Sequence, residues 1–576
     1  MLVATVVPDV KTLAKRFDYL VPDRLRDQVR VGTLVRLQLG PRRVGGWVVA
    51  LGETAPEGIT LRELAKVTGW GPEPEVVALA DWAARRWAGH PAHFLGPASP
   101  DHAVVGLPAP ARRHGAPVPL DGIGIDALAA GRAVVRLPPT ADPYDVVVAA
   151  VGRGDTLVVT PSVVTARVLA ARLVRAGIPV ARYPRDWAAA RAGATVVGTR
   201  TAAWAPMPAL AAVVVVDEHD EGHQAEQAPT WHARDVAIER ARRAGVPCVL
   251  TSPVPSLEAL EWGRLVTVSR SDERAGWPPV LVVDRRRDDP VRPTVLTDAL
   301  VQAARAVTGT VLCVLNRVGV ARLLRCHSCG ELARCDTCRS SMVIDGGGGP
   351  GRLACERCGS TRPPVCTACG AARFRNVRPG VARLRTELEV LLGEPVAEVT
   401  GALDPDEALP PARVLIGTEA VLHRVPEAQL VAFLDFDAEL FAPRFRAEEQ
   451  ALALLARAAR TVGGRATGGR LLVQTAEPGH EVIRAVLQAD PGRWADVERE
   501  RRTALRLPPA TALAVVTGPA AADAVAALRG LPGVDVAATD GRALVRAADH
   551  EQLSDALARR ATVAGKLRVE VDPRRA

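Results

Sequence analysis

VVVVDEHD, Val213–Asp220, is four consecutive valines closed by two carboxylates. A run that is apolar at every position, not at alternate ones, reads as a strand buried on both faces. The runs around it repeat the design. TLVVTPS, ATVVGTR and PCVLTSP alternate with amphipathic stretches such as TARVLAARLVRAG between about 127 and 290. Buried strands separated by helices imply a parallel sheet covered on both sides. Asp217 and Glu218 stand at the end of the central strand. In a nucleotide-driven motor that is where a magnesium-holding Asp and a water-orienting Glu are needed.

A second set of strands, GTVLCVLNR, ARVLIGTEA, LVAFLDFD and GRLLVQT, follows from about 291. The chain is therefore a multidomain α/β protein. Residues 1–103 form a β-rich N-terminal domain with a helix near Glu75–Trp87, and 104–126 a Pro- and Gly-rich linker. Residues 127–290 form a first lobe, and 291–323 and 373–502 the two parts of a second. A cysteine-rich insertion occupies 324–372. Residues 503–576 alternate strands around two helices as a small α+β domain.

The insertion carries four Cys-x-x-Cys knuckles: Cys326/Cys329, Cys335/Cys338, Cys355/Cys358 and Cys366/Cys369. A two-residue gap lets both thiolates face one ion, and zinc takes four such soft ligands in a tetrahedron. Eight thiolates make two closed sites with no position open for catalysis. Kept whole, the knuckles pair in three possible ways, and spacing does not choose among them. The GGGG run at 346–349 reads as a loop within the insertion.

Composition bounds the rest. The chain has 576 residues, 48% of them hydrophobic and 3% aromatic, so aliphatic packing dominates its cores. The net charge is +9 and the pI about 9.3, which permits a polyanion partner. Of 73 basic residues only Lys11, Lys15, Lys66 and Lys566 are lysine. The arginine excess fits GC-rich coding, so charge alone does not argue for nucleic acid. The N-terminal stretch is interrupted by charges and reads as no secretory signal. No run of about 18 apolar residues occurs, so no membrane span is expected. Paired cysteines in such a chain point to metal ligation in a reducing cytoplasm.

The order of several motifs resembles the bacterial PriA family of replication-restart helicases, also called primosomal protein N′. They are RFDYLVP (16–22), the G-x-x-V-x-x-x-x-G run at 32–40, VVGTRTAAWAP (196–206), the VVDEHD segment, WHARDVAIERA (231–241) and LTSPVPSLEAL (250–260). LNRVGVARLLRCHSCG (315–330), LIGTEA (415–420), APRFRAEEQALALL (442–455), LLVQTAEPGHEVI (471–483) and RLPPATALAVV (506–516) continue the series. The resemblance implies an N-terminal domain that binds a DNA 3′ end, two RecA-like lobes and a two-zinc insertion. It also implies that the first and fourth knuckles share one zinc (Cys326, Cys329, Cys366, Cys369) and the second and third the other (Cys335, Cys338, Cys355, Cys358).

For the DNA end, the resemblance implies that Phe17 stacks on the terminal base and Asp18 accepts a hydrogen bond from the terminal sugar hydroxyl. Gly40 permits close approach, and Lys66 contacts phosphate. The plainer alternatives are a core aromatic at a strand start for Phe17 and a turn or cap residue for Asp18. The family's winged-helix domain has no room in the short linker, so that fold is expected to be absent.

The motor departs from the family pattern. Family members carry a Gly-rich loop ending in Gly-Lys-Thr. The matching stretch here is RLPPTADPYDVVVAAV, Arg136–Val151, with Pro143 at the lysine and Tyr144 at the Thr. Thr140 and Asp142 fall at glycines. Three prolines lack the N–H donors of a phosphate cradle, and Asp142 and Asp145 repel phosphate. No lysine occurs between Lys66 and Lys566 to take the missing place, and arginine's planar fork substitutes poorly. The second-lobe segment reads GTEAVLHRVPEAQ, and Arg460 and Arg465 lie out of register. Asp217 and Glu218 are then a degenerate nucleotide site, a strand-end remnant without a catalytic role, and ATP with magnesium is not expected.

These readings converge on a cytoplasmic, nucleoid-associated primosome protein that recognises stalled forks and initiates restart without helicase activity. Its expected partners are forked and single-stranded DNA, primosome proteins, the replicative helicase or its loader, and single-stranded-DNA-binding protein, with no membrane. The alternatives are an ATP-dependent 3′→5′ DNA helicase with a divergent nucleotide site, or a zinc-ribbon interaction protein of another pathway.

Overall fold

The computed structural model describes residues 2–574 except 12, 14, 54–59, 112–120, 288–293, 316–323, 346–350, 356–357, 377–380, 400–408, 540 and 560–564. The GGGG run lies outside the described residues, as does much of the predicted linker. The chain divides into two compact units. One holds the residues up to Arg136, Asp142–Thr267 and Arg502–Pro573. The other holds Leu137–Ala141 and Val268–Arg501. Among the described residues no helix is long and apolar enough to cross a membrane.

The first unit begins with a five-stranded antiparallel sheet in the order Phe17–Val21, Leu2–Pro8, Arg42–Gly52, Leu34–Leu39, Lys66–Gly69. Its two edges meet. The Leu20 N–H donates to the Arg62 carbonyl and the Leu64 N–H to the Leu20 carbonyl, 2.9 and 3.0 Å. These two bonds close the sheet into a small barrel. Ala4, Val6, Tyr19, Leu37, Val48 and Leu64 fill it.

Next comes the seven-stranded sheet of the first lobe. Its order is Arg264–Thr267, Arg132–Arg136, Cys248–Ser252, Leu210–Val215, Asp155–Val159, Thr195–Gly198, Val180–Tyr183. Val213–Val215 pair in parallel with Cys248–Leu250 on one side and Leu157–Val159 on the other. Flanked by strands and covered on both faces, the four valines are wholly buried.

The C-terminal residues form a four-stranded antiparallel sheet in the order Val534–Thr539, Arg542–Ala547, Ala512–Thr517, Arg568–Val571. Helices Ala521–Leu528 and His550–Ala558 pack on it.

The helices Pro74–Arg86 and Ala92–Ala98 share one continuous core with the first lobe and the C-terminal sheet. An aromatic chain runs through it. Ring centroids lie 5.3 Å apart for Trp82–Trp87, 6.4 Å for Trp87–Phe94, 5.3 Å for Phe94–Trp204 and 5.5 Å for Trp204–Trp231. In so aromatic-poor a chain this concentration matters, because each buried ring contributes about 2–3 kcal/mol by area alone.

The second unit is built on a six-stranded parallel sheet in the order Val280–Asp284, Arg470–Thr475, Leu430–Phe433, Val311–Val314, Val414–Gly417, Val396–Val399. This corrects the expected lobe boundary at 290/291. Val280–Asp284 pairs in parallel with Leu471–Thr475, so the second sheet begins earlier. The helix Ile123–Ala129 likewise starts inside the predicted linker, with Gly124 close against Val146 and Ala149. The helix Pro491–Ala504 runs across the boundary placed at 502/503.

The cysteine insertion docks on the second lobe through polar contacts. Arg325 donates to Asp437 at 2.8 Å, and Asp437 is wholly buried. The Ala476 N–H donates to both Asp437 oxygens. Arg334 pairs with Glu477 and lies 4.3 Å over the Phe441 ring. Arg286 is exposed beside Asp284, whereas Arg285 is buried against Asp435.

Candidate functional site

Of the four residues expected at a DNA end, Phe17 and Asp18 lie on the edge strand Phe17–Val21, Gly40 in the turn after Leu34–Leu39, and Lys66 at the start of Lys66–Gly69. Phe17 opens the strand Phe17–Val21 half-buried and packs on the barrel core. Asp18 lies within that strand, opposite Thr5, whose hydroxyl donates to Asp18 Oδ1 at 2.6 Å. It is thus neither a turn nor a cap residue. Gly40 is at φ +57, in the turn after Leu34–Leu39, where an added Cβ meets nothing within 4 Å. That conformation favours glycine. The turn is tied to the seam. The Tyr19 hydroxyl donates to the Gln38 carbonyl (3.0 Å), and Gln38 Nε2 donates to the Gly40 carbonyl (2.9 Å). Burial raises the Tyr19 pKa, with Arg62 opposing, so the phenol stays a donor. Lys66 is exposed two residues after Leu64, which closes the seam. Thr5 is the member that sequence reading missed, because only the register places it opposite Asp18.

The stretch aligned with the family's phosphate-binding loop has a strand–loop–helix layout. Arg132–Arg136 leads through the loop into helix Tyr144–Val151. Pro143 precedes that helix and has no N–H to offer. The Tyr144 N–H is taken by Asp142 Oδ1 at 3.0 Å. Asp142 also pairs with Arg172, whose guanidinium stacks 3.7 Å from the Tyr144 ring centroid. A carboxylate of the chain itself thus occupies the place where a helix N-terminus receives an anion. Arg460 Nε donates to the Pro139 carbonyl (2.9 Å), and Arg465 Nε to the Arg274 carbonyl (3.1 Å).

Both members of the acidic pair are buried. Asp217 is buried at φ +50, a left-handed conformation rare outside glycine, and its N–H donates to Thr251 Oγ1. Glu218 is fully buried. Its Oε1 accepts the Ser256 N–H at 2.7 Å. Its Oε2 accepts from the Ser256 hydroxyl (2.8 Å) and Arg234 Nη1 (3.0 Å). Burial works against the Arg234 charge, but Asp235, Glu218 and Glu258 override it and raise its pKa. Both carboxylate oxygens are therefore spent holding the helices that start at Ser256 and His232 to the strand end. Arg234 and Ser256 lie in stretches visible in the sequence, but nothing local marks them as partners of Glu218. Nearby, burial lowers the pKa of His223, whose Nε2 faces the Val216 carbonyl at 2.9 Å.

The fold selects one of the three knuckle pairings. Cys326, Cys329, Cys366 and Cys369 form one set, and Cys335, Cys338, Cys355 and Cys358 the other, with the four sulfurs of each within 4.8 Å of one another. Cys326–Cys369, Cys329–Cys366, Cys335–Cys358 and Cys338–Cys355 are 3.5, 3.6, 3.4 and 3.5 Å apart. A tetrahedron with metal–sulfur bonds of about 2.3 Å has edges of about 3.8 Å, so both sets fit a metal ion. Antiparallel pairing of Leu324–Cys326 with Phe374–Asn376 brings the first and last knuckles together. Gly330, Gly359 and Gly370 lie at φ +73 to +75 beyond their knuckles. There each N–H donates back to the carbonyl of the first Cys. Arg339 fills the same place at φ +62, at a cost of about 1 kcal/mol.

A family model described as the 3′ DNA-binding domain (3′BD) of PriA matches residues 4–100. The probable replication restart protein PriA of Mycobacterium bovis is 32% identical over 565 residues, spanning 89% of this chain and 86% of that protein. The replication restart protein PriA of Haemophilus influenzae is 29% identical over 356 residues, spanning 57% of this chain and 48% of its own. Among solved structures, RecG bound to a three-way DNA junction is similar to 74% of this chain and 52% of that one, at 12% identity and a TM-score of 0.37.

Proposed function

The chain belongs to the PriA replication restart family, and from that premise we propose that it recognises DNA 3′ ends at stalled or abandoned forks and initiates restart without an ATP-driven motor. The observation that carries the second half is the Tyr144 N–H bound to Asp142, itself paired with Arg172, where a motor needs free N–H donors and a lysine. Glu218, with both oxygens taken, supports the same reading. The cysteine sets hold two zinc ions as structural centres, and the protein partners are those of a restart assembly. The test is DNA-stimulated ATP turnover by the purified full chain on a forked substrate. Turnover at background is expected. Hydrolysis stimulated by the fork and abolished by substitutions in Arg136–Val151 would establish the helicase reading instead.

DNA binding is expected to favour a fork whose 3′ end at the junction carries a free hydroxyl. Asp18→Ala removes the carboxylate that accepts it and should erase most of that preference. Total affinity should fall less, because phosphate contacts set affinity while end contacts set selectivity. Thr5→Val, which takes the competing donor from Asp18, should leave the preference intact or sharpen it. Equal binding of 3′-hydroxyl and 3′-phosphate ends by the unmodified chain would remove the role assigned to Phe17 and Asp18.

A further inference from the structure

Near its C-terminal end the chain makes an unusually dense set of contacts. Asp572 Oδ2 pairs with Arg86 Nη2 at 2.7 Å, on the helix Pro74–Arg86 that follows the barrel. Its Oδ1 faces His550 Nε2 at 2.9 Å, on the C-terminal domain. Its carbonyl accepts from Gln224 Nε2 at 2.6 Å, on the first lobe, and its N–H donates to the Leu513 carbonyl at 2.9 Å. The preceding Val571 carbonyl accepts from the Thr230 hydroxyl at 2.7 Å. Asp235 of the first lobe lies 3.8 Å from the same Arg86. One residue therefore bonds to three parts of the chain that are distant in sequence, all within one compact unit.

Two further features mark these contacts as built. Asp572 is at φ +50, a conformation that other residues avoid unless their surroundings impose it. Burial works against its charge, yet Arg86 and His550 hold its carboxyl far below the usual range. By contrast, the neighbouring pair Arg85–Asp555 has both side chains about 60% exposed, where ion pairs contribute little.

We propose that Asp572 is a positioning residue for DNA-end recognition: it fastens the helix after the barrel to the first lobe and the C-terminal domain, so that the barrel seam holds one fixed orientation on the lobe. The proposal rests on the DNA-end reading of the barrel. It extends that reading by making the selectivity of the seam for forks depend on a residue in another domain that contacts no DNA.

The test compares the full chain with Asp572→Asn, Arg86→Gln, the double variant, and Arg85→Ala as an exposed control. In hydrogen–deuterium exchange, Asp572→Asn is expected to speed exchange at least tenfold in Pro74–Arg86, in 221–235 and in His550–Ala558. The barrel strands and Val213–Val215 should stay protected. Arg86→Gln, placed in a different domain, should reproduce this, and the double variant should be no worse than either single one. Arg85→Ala should change nothing. In DNA binding, Asp572→Asn should keep the distinction between 3′-hydroxyl and 3′-phosphate on a simple end but lose several-fold preference for a fork over that end. Unchanged exchange in both single variants would overturn the fastening, and faster exchange with fork preference intact would overturn the positioning role. An unmodified chain blind to the 3′ hydroxyl would overturn both the DNA-end reading and the role resting on it, and the exchange data would separate that outcome from failure of the fastening alone.

Discussion

Removing metal from the cysteine insertion is expected to unfold it and to weaken the second lobe beneath it. The insertion has little apolar core: among the described residues its buried cluster holds, besides cysteines, Leu324, Ala333, Met342 and Leu353, with Leu332 buried nearby in sequence. Its strands are two or three residues long. Such a segment depends on metal binding as folding energy, on the order of 10 kcal/mol per site. Metal analysis of reduced protein should return two equivalents, and Cys326→Ser or Cys335→Ser should each lose one site and its local order. Loss should grow as pH falls, because protons compete for the thiolates. The effect should then spread. With the insertion unfolded, Asp437, wholly buried in the folded chain, loses Arg325. Breaking such a pair from one side costs about 3–5 kcal/mol. Chelation should therefore lower the melting temperature of the second lobe, as followed by calorimetry. A lobe that melts unchanged after full metal removal would show that the docking contacts carry no stability, and a single equivalent of metal would show that one cysteine set binds none.

Glu218→Gln is expected to act on stability and not on catalysis. Glu218 accepts three hydrogen bonds in a fully buried position, one from Arg234. The amide keeps the shape but removes the charge that stabilises a buried guanidinium, and it turns a donor toward Arg234 or the Ser256 hydroxyl. Asp235 remains beside Arg234 at 3.0 Å, so compensation is partial. The expected loss is on the order of 3 kcal/mol, a fall of roughly 5–10 °C in the melting temperature of the first unit. Ser256→Ala, which removes one neutral donor, should cost less, about 1–2 kcal/mol. Restart in cells should survive Glu218→Gln at low temperature and fail at high temperature, in parallel with the melting shift. A variant that melts like the parent and binds DNA but cannot restart forks would mark Glu218 as catalytic and overturn the motor-free reading.

Local pattern was enough for what is local. The valine run announced a doubly covered strand, because apolarity on every residue has no other use in a sheet. The two-residue gap of each knuckle announced a metal ligand pair. The absence of lysine from the lobes and the prolines at 138, 139 and 143 are likewise legible in the sequence, and the motor-free proposal starts from them. Partner choice was beyond such reading. Nothing within Val280–Asp284 says which sheet it joins. Its register with Leu471–Thr475 decides that, and so moves the lobe boundary. The spacing of the knuckles left three pairings, and the strands on either side of the insertion chose one. Asp142 reaches the Tyr144 N–H by a local bond, but its pairing with Arg172 spans 30 positions. Asp572 met Arg86 across 486 positions. Period and spacing are set by backbone geometry over a few residues, so the sequence alone determined them. Which charged group neutralises which depends on the packing of segments far apart in the chain, and that the tertiary structure alone decided.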